Sequence, residues 1–254
     1  MLGFIVKRLG LALLVALAVS AIAFFLLRLS GDIAVAIAGE GAQQADLDVI
    51  RKTYGLDRPL VVQYLDWLLK TLSGDFGTSI YFKTDVSSLV FAKLPVTLIL
   101  GLSSLAFALL ISIPLGVLAA IYANSWIDRL ALAIAVFGQA MPNFFFALIL
   151  VMLFSITLRW LPVSGSGTWL HYVMPTIALG YYTAPAFMRL IRAGMIEVLS
   201  ADYIRTARAK GLSPYAVVIT HALRNAAVPV VALTAVQLGF LLGGYEIAFN
   251  ADDI

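Results

Sequence analysis

Five stretches of this chain contain no Asp, Glu, Lys or Arg: residues 9–27, 94–127, 130–158, 160–188 and 225–245. Each is apolar and approaches or exceeds the about 20 residues that a helix needs to cross the hydrocarbon of a bilayer. A charge at the centre of such a helix costs about 2.5–3.5 kcal/mol on insertion scales, so the absence of charge is the informative property. The chain is 62% hydrophobic and 12% charged, against about 45–50% apolar and about 25% charged in soluble domains. A single water-soluble core cannot hide that much apolar surface. The expected fold class is all-α: a polytopic membrane helix bundle with five spanning helices.

The basic residues set an orientation. Lys7 and Arg8 precede the first run, and the connection from Arg189 to Arg224 adds Arg192, Arg205, Arg208 and Lys210. Both places are expected in the cytoplasm by the positive-inside rule. Residues 30–93 then lie outside, where a long segment translocates regardless of its scattered charges. A cleaved leader is the competing reading of the first run, because Ala21-Ile22-Ala23 resembles a cleavage site. The apolar stretch exceeds the usual 7–15 residues or so and runs on into Phe24 and Phe25, which favours an uncleaved anchor. The expected organisation is an anchor over 1–29, an external segment over 30–93, a transmembrane core over 94–245 with a cytoplasmic loop at 192–224, and a tail at 246–254.

Cysteine is absent, which excludes disulfides, thiolate metal sites and a cysteine nucleophile. The net charge of +3 is small, and nucleic acid is not an expected partner. In the external segment, Asp46 is expected to cap a short helix that Gly55 ends. Pro59 introduces a second helix, with Leu60, Tyr64, Leu65, Leu68 and Leu72 on one face beside Trp67. That face suits packing on other helices, a membrane surface or a soluble partner.

Residues 192–224 are too long for a simple turn. Thr206-Ala207-Arg208-Ala209-Lys210 predicts a small-residue helix that exposes Arg205, Arg208 and Lys210 and stops at Gly211. Basic groups on such a helix address acidic partners or anionic lipid. A second basic helix starts at Pro214 and leads through His221, Arg224 and Asn225 into the last run. Within the runs, Gln139, Asn143 and Gln237 are the polar candidates for lining a path, with interhelical hydrogen bonding as the alternative role. Pro114, Pro142, Pro175, Pro185 and Pro229 are candidate kinks.

Asp202-Tyr203-Ile204-Arg205-Thr206-Ala207-Arg208-Ala209-Lys210-Gly211-Leu212 and His221-Ala222-Leu223-Arg224-Asn225 resemble the cytoplasmic loop of a known family. So do Tyr54-Gly55-Leu56-Asp57-Arg58-Pro59, Gly74-Asp75-Phe76-Gly77, Pro95-Val96-Thr97-Leu98 and Leu161-Pro162-Val163-Ser164-Gly165. The family comprises the inner-membrane permeases of ATP-binding-cassette importers, in the dipeptide, oligopeptide and nickel branch. The resemblance covers nearly the whole chain. It departs from the general pattern in lacking the Glu and first Ala of the Glu-Ala-Ala start.

The resemblance implies a type I importer permease in a bacterial inner membrane, with its N-terminus cytoplasmic. It implies that Asp202, Tyr203, Arg205, Thr206, Ala207, Arg208, Ala209, Lys210, Gly211 and Leu212 form the coupling element that docks into a separate ATPase subunit, with Ala207 and Gly211 allowing close approach. The other implied partners are a second permease, an external solute-binding protein and the bilayer. The cargo class would be dipeptide, oligopeptide, glutathione or a nickel chelate. No Gly-Lys-Ser or Gly-Lys-Thr occurs, so ATP and Mg are expected on the partner and no cofactor on this chain. Family members carry about one more external loop and one more spanning helix. Glu246 and Phe249 only echo the next motif, so a truncated, transport-inactive chain is expected.

Two other classes compete with this reading. An intramembrane serine hydrolase would use Ser166, within Gly165-Ser166-Gly167, with His171 or His221 as base. An ion-coupled secondary transporter would need ionisable groups inside its spans.

Overall fold

The apolar runs differ in whether they stay whole, and proline alone does not decide it. The computed structural model describes residues 2–39, 41–79, 81–165 and 167–242. Ser166 and the 246–254 tail, with Glu246 and Phe249, lie outside them. The chain forms two compact units, Met1–Ala92 and Lys93–Ile254.

In the first unit, α1 (Leu2–Leu29) carries the first run as one uninterrupted helix. Short helices α2 (Ile33–Ala38), α3 (Gln44–Thr53) and α4 (Leu60–Leu72) follow. Asp46 lies in the first turn of α3, and the capping position belongs to Gln43. The expected Asp46 cap is thus displaced by one turn, because helix geometry begins three residues earlier. Asp32 instead caps α2, accepting the Ala34 N–H at 2.9 Å, and pairs with Arg51 at 2.5 Å. Part of the apolar face of α4 packs on α1, while Leu60, Leu65 and Leu72 stay exposed: Tyr64 and Trp67 meet Phe24 with ring centroids 5.5 and 5.8 Å apart, and the Tyr64 and Ser20 hydroxyls are 2.9 Å apart.

In the second run, α5 (Val86–Ile121) continues through Pro95 and Pro114. Ser104, Ala108, Ser112, Gly116 and Ala120 recur every fourth residue along it, and the first three are 0% exposed. This ridge of small side chains lets a neighbouring backbone approach closely, which is how helices associate where no hydrophobic expulsion from water drives them. The neighbour is α8 (Leu170–Leu199). A methyl on Gly180 would sit 2.7 Å from Ser104 O, and one on Gly116 would sit 2.9 Å from Ile191. Contacts that advance together along both helices make α5 and α8 parallel.

The third run breaks. It contains α6 (Trp126–Ala140), α7 (Asn143–Leu150) and a π-helical turn (Val151–Thr157). Met141, extended at ψ 138° before Pro142, separates the first two, as sterics before proline favour. The fourth run enters helix only at Leu170, and α8 then carries on past Arg189 to Leu199, so the expected loop loses its first residues to this helix. Next come α9 (Asp202–Ala209), α10 (Pro214–Ala216), a second π-helical turn (Val217–Leu223), α11 (Arg224–Ala226) and α12 (Val228–Leu242).

Among the described residues, Gly3–Leu29 and Val86–Ile121 are long and apolar enough to cross a membrane alone. Pro214–Ala226 and Val228–Leu241, bent by 51°, make a third if taken as one span. The remaining apolar length is distributed over broken or charged helices, and not over five continuous ones as the runs suggested. The buried centre of the second unit is built from Phe187, Ile191, Met195, Ile204, Val217 and Ala222.

Candidate functional site

The short helix α9 is amphipathic in a specific way. Ile204 (0% exposed) and Ala207 (7%) are buried in the same cluster as Val217 and Ala222, while Asp202, Tyr203, Arg205, Thr206, Arg208, Ala209 and Lys210 are exposed. Its end is a Schellman motif. The Leu212 N–H donates to Ala207 O at 3.3 Å and the Gly211 N–H to Arg208 O at 3.0 Å, with Gly211 at φ +78°. That left-handed position favours glycine. A methyl on Gly211 would meet nothing within 4 Å, so its surface is open. Ala207, expected at the docking surface, instead lets α9 lie close against its own bundle.

Two motifs read separately in the sequence meet here. Asn225 Nδ2 donates to the Tyr203 hydroxyl at 2.8 Å and to His221 O at 3.2 Å. The π-helical turn before Arg224 carries Val217 and Ala222 into the cluster under α9, so α9 is held by the helix that follows it.

The helix that precedes α9 is anchored as well. Arg192 in α8 makes two parallel bonds to Asp128 at the start of α6, both 2.6 Å. Asp128 is 2% exposed and also accepts the Asn124 N–H at 2.9 Å. Both residues lie outside the charge-free runs. The Arg192 guanidinium holds the Asp128 carboxyl below its usual range, assisted by the Asn124 N–H, against the opposing effect of burial. The sequence offered a signal for this pair: one carboxylate between two apolar runs, at the end where arginines gather.

Of the three polar candidates, the structure unites two. Asn143 and Gln237 line one cavity of about 140 Å³ with Leu179, Tyr182, Thr183 and Phe240. The Asn143 Oδ1 is buried and accepts no hydrogen bond from the described residues. Gln139 lies elsewhere, accepting a hydrogen bond from Arg189 Nη1 at 3.1 Å. Tyr182 and Thr183 were not singled out, since aromatic and hydroxyl residues are common in apolar helices.

His171 Nδ1 is occupied by the Thr168 N–H and hydroxyl, at 3.1 and 2.8 Å. Among the described residues no group of three or more His, Asp or Glu side chains is arranged to hold a metal.

Two family models match. Residues 1–101 fit the N-terminal model of binding-protein-dependent transport system membrane components, and residues 112–248 fit the binding-protein-dependent transport system inner membrane component. The chain belongs to this family. It is a helical, multi-pass inner-membrane permease subunit of an importer, and family membership implies association with ATP-binding and solute-binding components. The glutathione transport system permease protein GsiC of Salmonella typhimurium (strain LT2) is 42% identical over 246 residues, 96% of this chain and 80% of that protein. GsiC of Escherichia coli (strain K12) is 40% identical over the same shares. Family membership replaces the hydrolase and ion-coupled readings with a transport subunit.

Proposed function

We propose that this permease moves glutathione or a short peptide, and that α9 is its contact with a separate ATPase subunit. The reading of α9 rests chiefly on one observation: a helix seated on its own bundle by Ile204 and Ala207 presents all its charged groups and an open glycine outward. Exposed Arg205, Arg208 and Lys210 suit an acidic cleft, and Gly211 adds no bulk there. The N-terminus and α9 are cytoplasmic in this reading, as Lys7, Arg8 and the α9 basic residues favour. Residues 30–93 are the external segment, and ATP and Mg act on the partner.

Alternating access follows mechanically. Closure of the ATPase pair draws α9 with it, and the Asp128–Arg192 pair transmits that displacement through α8 to α6. The permease pair opens outward to a loaded binding protein, and hydrolysis resets it. The cavity between α7, α8 and α12 belongs to the cargo path, with the amides of Asn143 and Gln237 able to give and accept hydrogen bonds as peptide groups do. The cargo assignment rests on the names of the relatives.

The test is co-purification in detergent with the ATPase subunits and sister permease, comparing the wild type with Gly211→Asp and Arg208→Glu. The reading requires loss of ATPase retention while membrane insertion persists. Full retention by both variants would remove α9 as the docking element.

A further inference from the structure

Arg189 points the wrong way for a residue at a membrane edge. A basic side chain near the cytoplasmic end of a helix ordinarily extends outward to the headgroups. Arg189 instead extends back along α8, where side chains tilt towards the helix N-terminus, and its guanidinium bonds Gln139 Oε1 at 3.1 Å. Gln139 lies three helical turns, about 16 Å of rise, beyond Asp128, which marks the charged end of the bundle through its pair with Arg192. The guanidinium therefore reaches from the Arg192 end of α8 towards the interior of the bundle.

It is exposed there, and among the described residues it has no acidic partner. An intramembrane cation with free N–H groups must face water or an anion. Its surroundings indicate which. Tyr182, seven residues earlier and hence on the same face of α8, lines the cavity that holds Asn143 and Gln237. Gln139 and Asn143 lie on either side of the Met141-Pro142 break. Asn143, whose buried Oδ1 has no donor among the described residues, thus lies just beyond the break from Gln139, which holds the planar cation.

We propose that Arg189, oriented by Gln139, is a binding residue of the cargo path that takes the free carboxylate of a peptide-like cargo. The guanidinium fork suits a carboxylate in two-bond geometry. The cavity amides face the peptide groups of the same molecule. This rests on the peptide-importer reading above and adds a specificity for anionic cargo within the membrane.

The experiment is ATP-dependent uptake into proteoliposomes holding the permease with its sister permease, ATPase subunits and binding protein. Glutathione is compared with its C-terminal amide, for wild type, Arg189→Gln and Arg189→Lys. The binding protein is common to all assays, so its own preference cancels in the comparison of variants. The acid-to-amide uptake ratio should fall about tenfold in Arg189→Gln and less in Arg189→Lys, as for a charge-assisted bond tested by a double-mutant cycle.

An unchanged ratio, with uptake of both cargoes falling together, overturns the assignment and makes Arg189 a contact to an acidic residue of the sister permease. If Arg189→Gln fails to retain the ATPase subunits, the ratio is read from Arg189→Lys, and an unchanged value there overturns the assignment equally. If the wild type supports no ATP-dependent uptake, the same acid-to-amide ratio is read from binding of the two compounds to the purified complex, and binding of neither would remove the peptide-importer reading and this assignment with it.

Discussion

At the scale of single residues, the Asp128–Arg192 pair stands out energetically. Removing a carboxylate from water is unfavourable unless its lone pairs are satisfied. Here two guanidinium bonds at 2.6 Å and the Asn124 N–H at 2.9 Å satisfy them. Asp128→Asn leaves Arg192 without its counter-charge and should destabilise the protein by about 3 kcal/mol, read as a lower unfolding temperature in detergent. The swapped double variant Asp128→Arg with Arg192→Asp should recover part of the loss. The pH dependence follows from the depressed carboxyl. This pair's contribution is complete above the ordinary carboxylate pKa of about 3.9 and is lost as pH falls through the lower folded-state value. Unfolding temperature should therefore drop below about pH 4 in the wild type, with a shallower drop in Asp128→Asn. Residue type marked Gln139, Asn143 and Gln237 as unusual in apolar helices, but which of them meet was not readable. Sequence spacing carries no information on how α7 and α12 face each other.

At the scale of elements, six prolines show how much of a helix is decided by its neighbours. Pro95, Pro114, Pro175 and Pro185 lie inside continuous helices, whereas the chain breaks at Pro142 and bends by 51° beside Pro229. All lack the same N–H, and whether the freed carbonyl is tolerated depends on surrounding helices that the local sequence does not specify. The end of α9, by contrast, was legible, because Gly211 after an alanine-rich stretch encodes its own stop. Gly211→Ala places a Cβ in the left-handed region and should cost roughly 1–2 kcal/mol, without steric contact to blame. Gly116→Leu should act differently: it drives a side chain into Ile191 and the Met188 carbonyl, with a Cβ contact of 2.9 Å. A loss of about 1–3 kcal/mol is expected, visible as a lower unfolding temperature than that of Leu118→Ala on the exposed face of α5.

At the scale of the molecule, the arrangement of α5 parallel to α8, with α6 starting at their shared end, collects Asp128, Arg192 and α9 in one place. The absence of native cysteine makes the membrane orientation directly measurable. Lys210→Cys should react with a membrane-impermeant thiol reagent only from the cytoplasmic side, and Lys70→Cys only from the outside. The opposite pattern would reverse the assignment of α9 to the ATPase side. The sequence alone determined that the chain belongs in a bilayer, where its apolar runs lie, and that a separate basic helix precedes a stop at Gly211. Those properties arise from the transfer free energy and backbone preference of contiguous residues, which add along the chain. Only the tertiary structure decided that Ala207 faces inward, that Asn143 and Gln237 share a cavity, and that Arg189 meets Gln139. These depend on which faces of distant helices meet, and small residues such as Gly116 and Gly180 set that through contact distances that no linear pattern records.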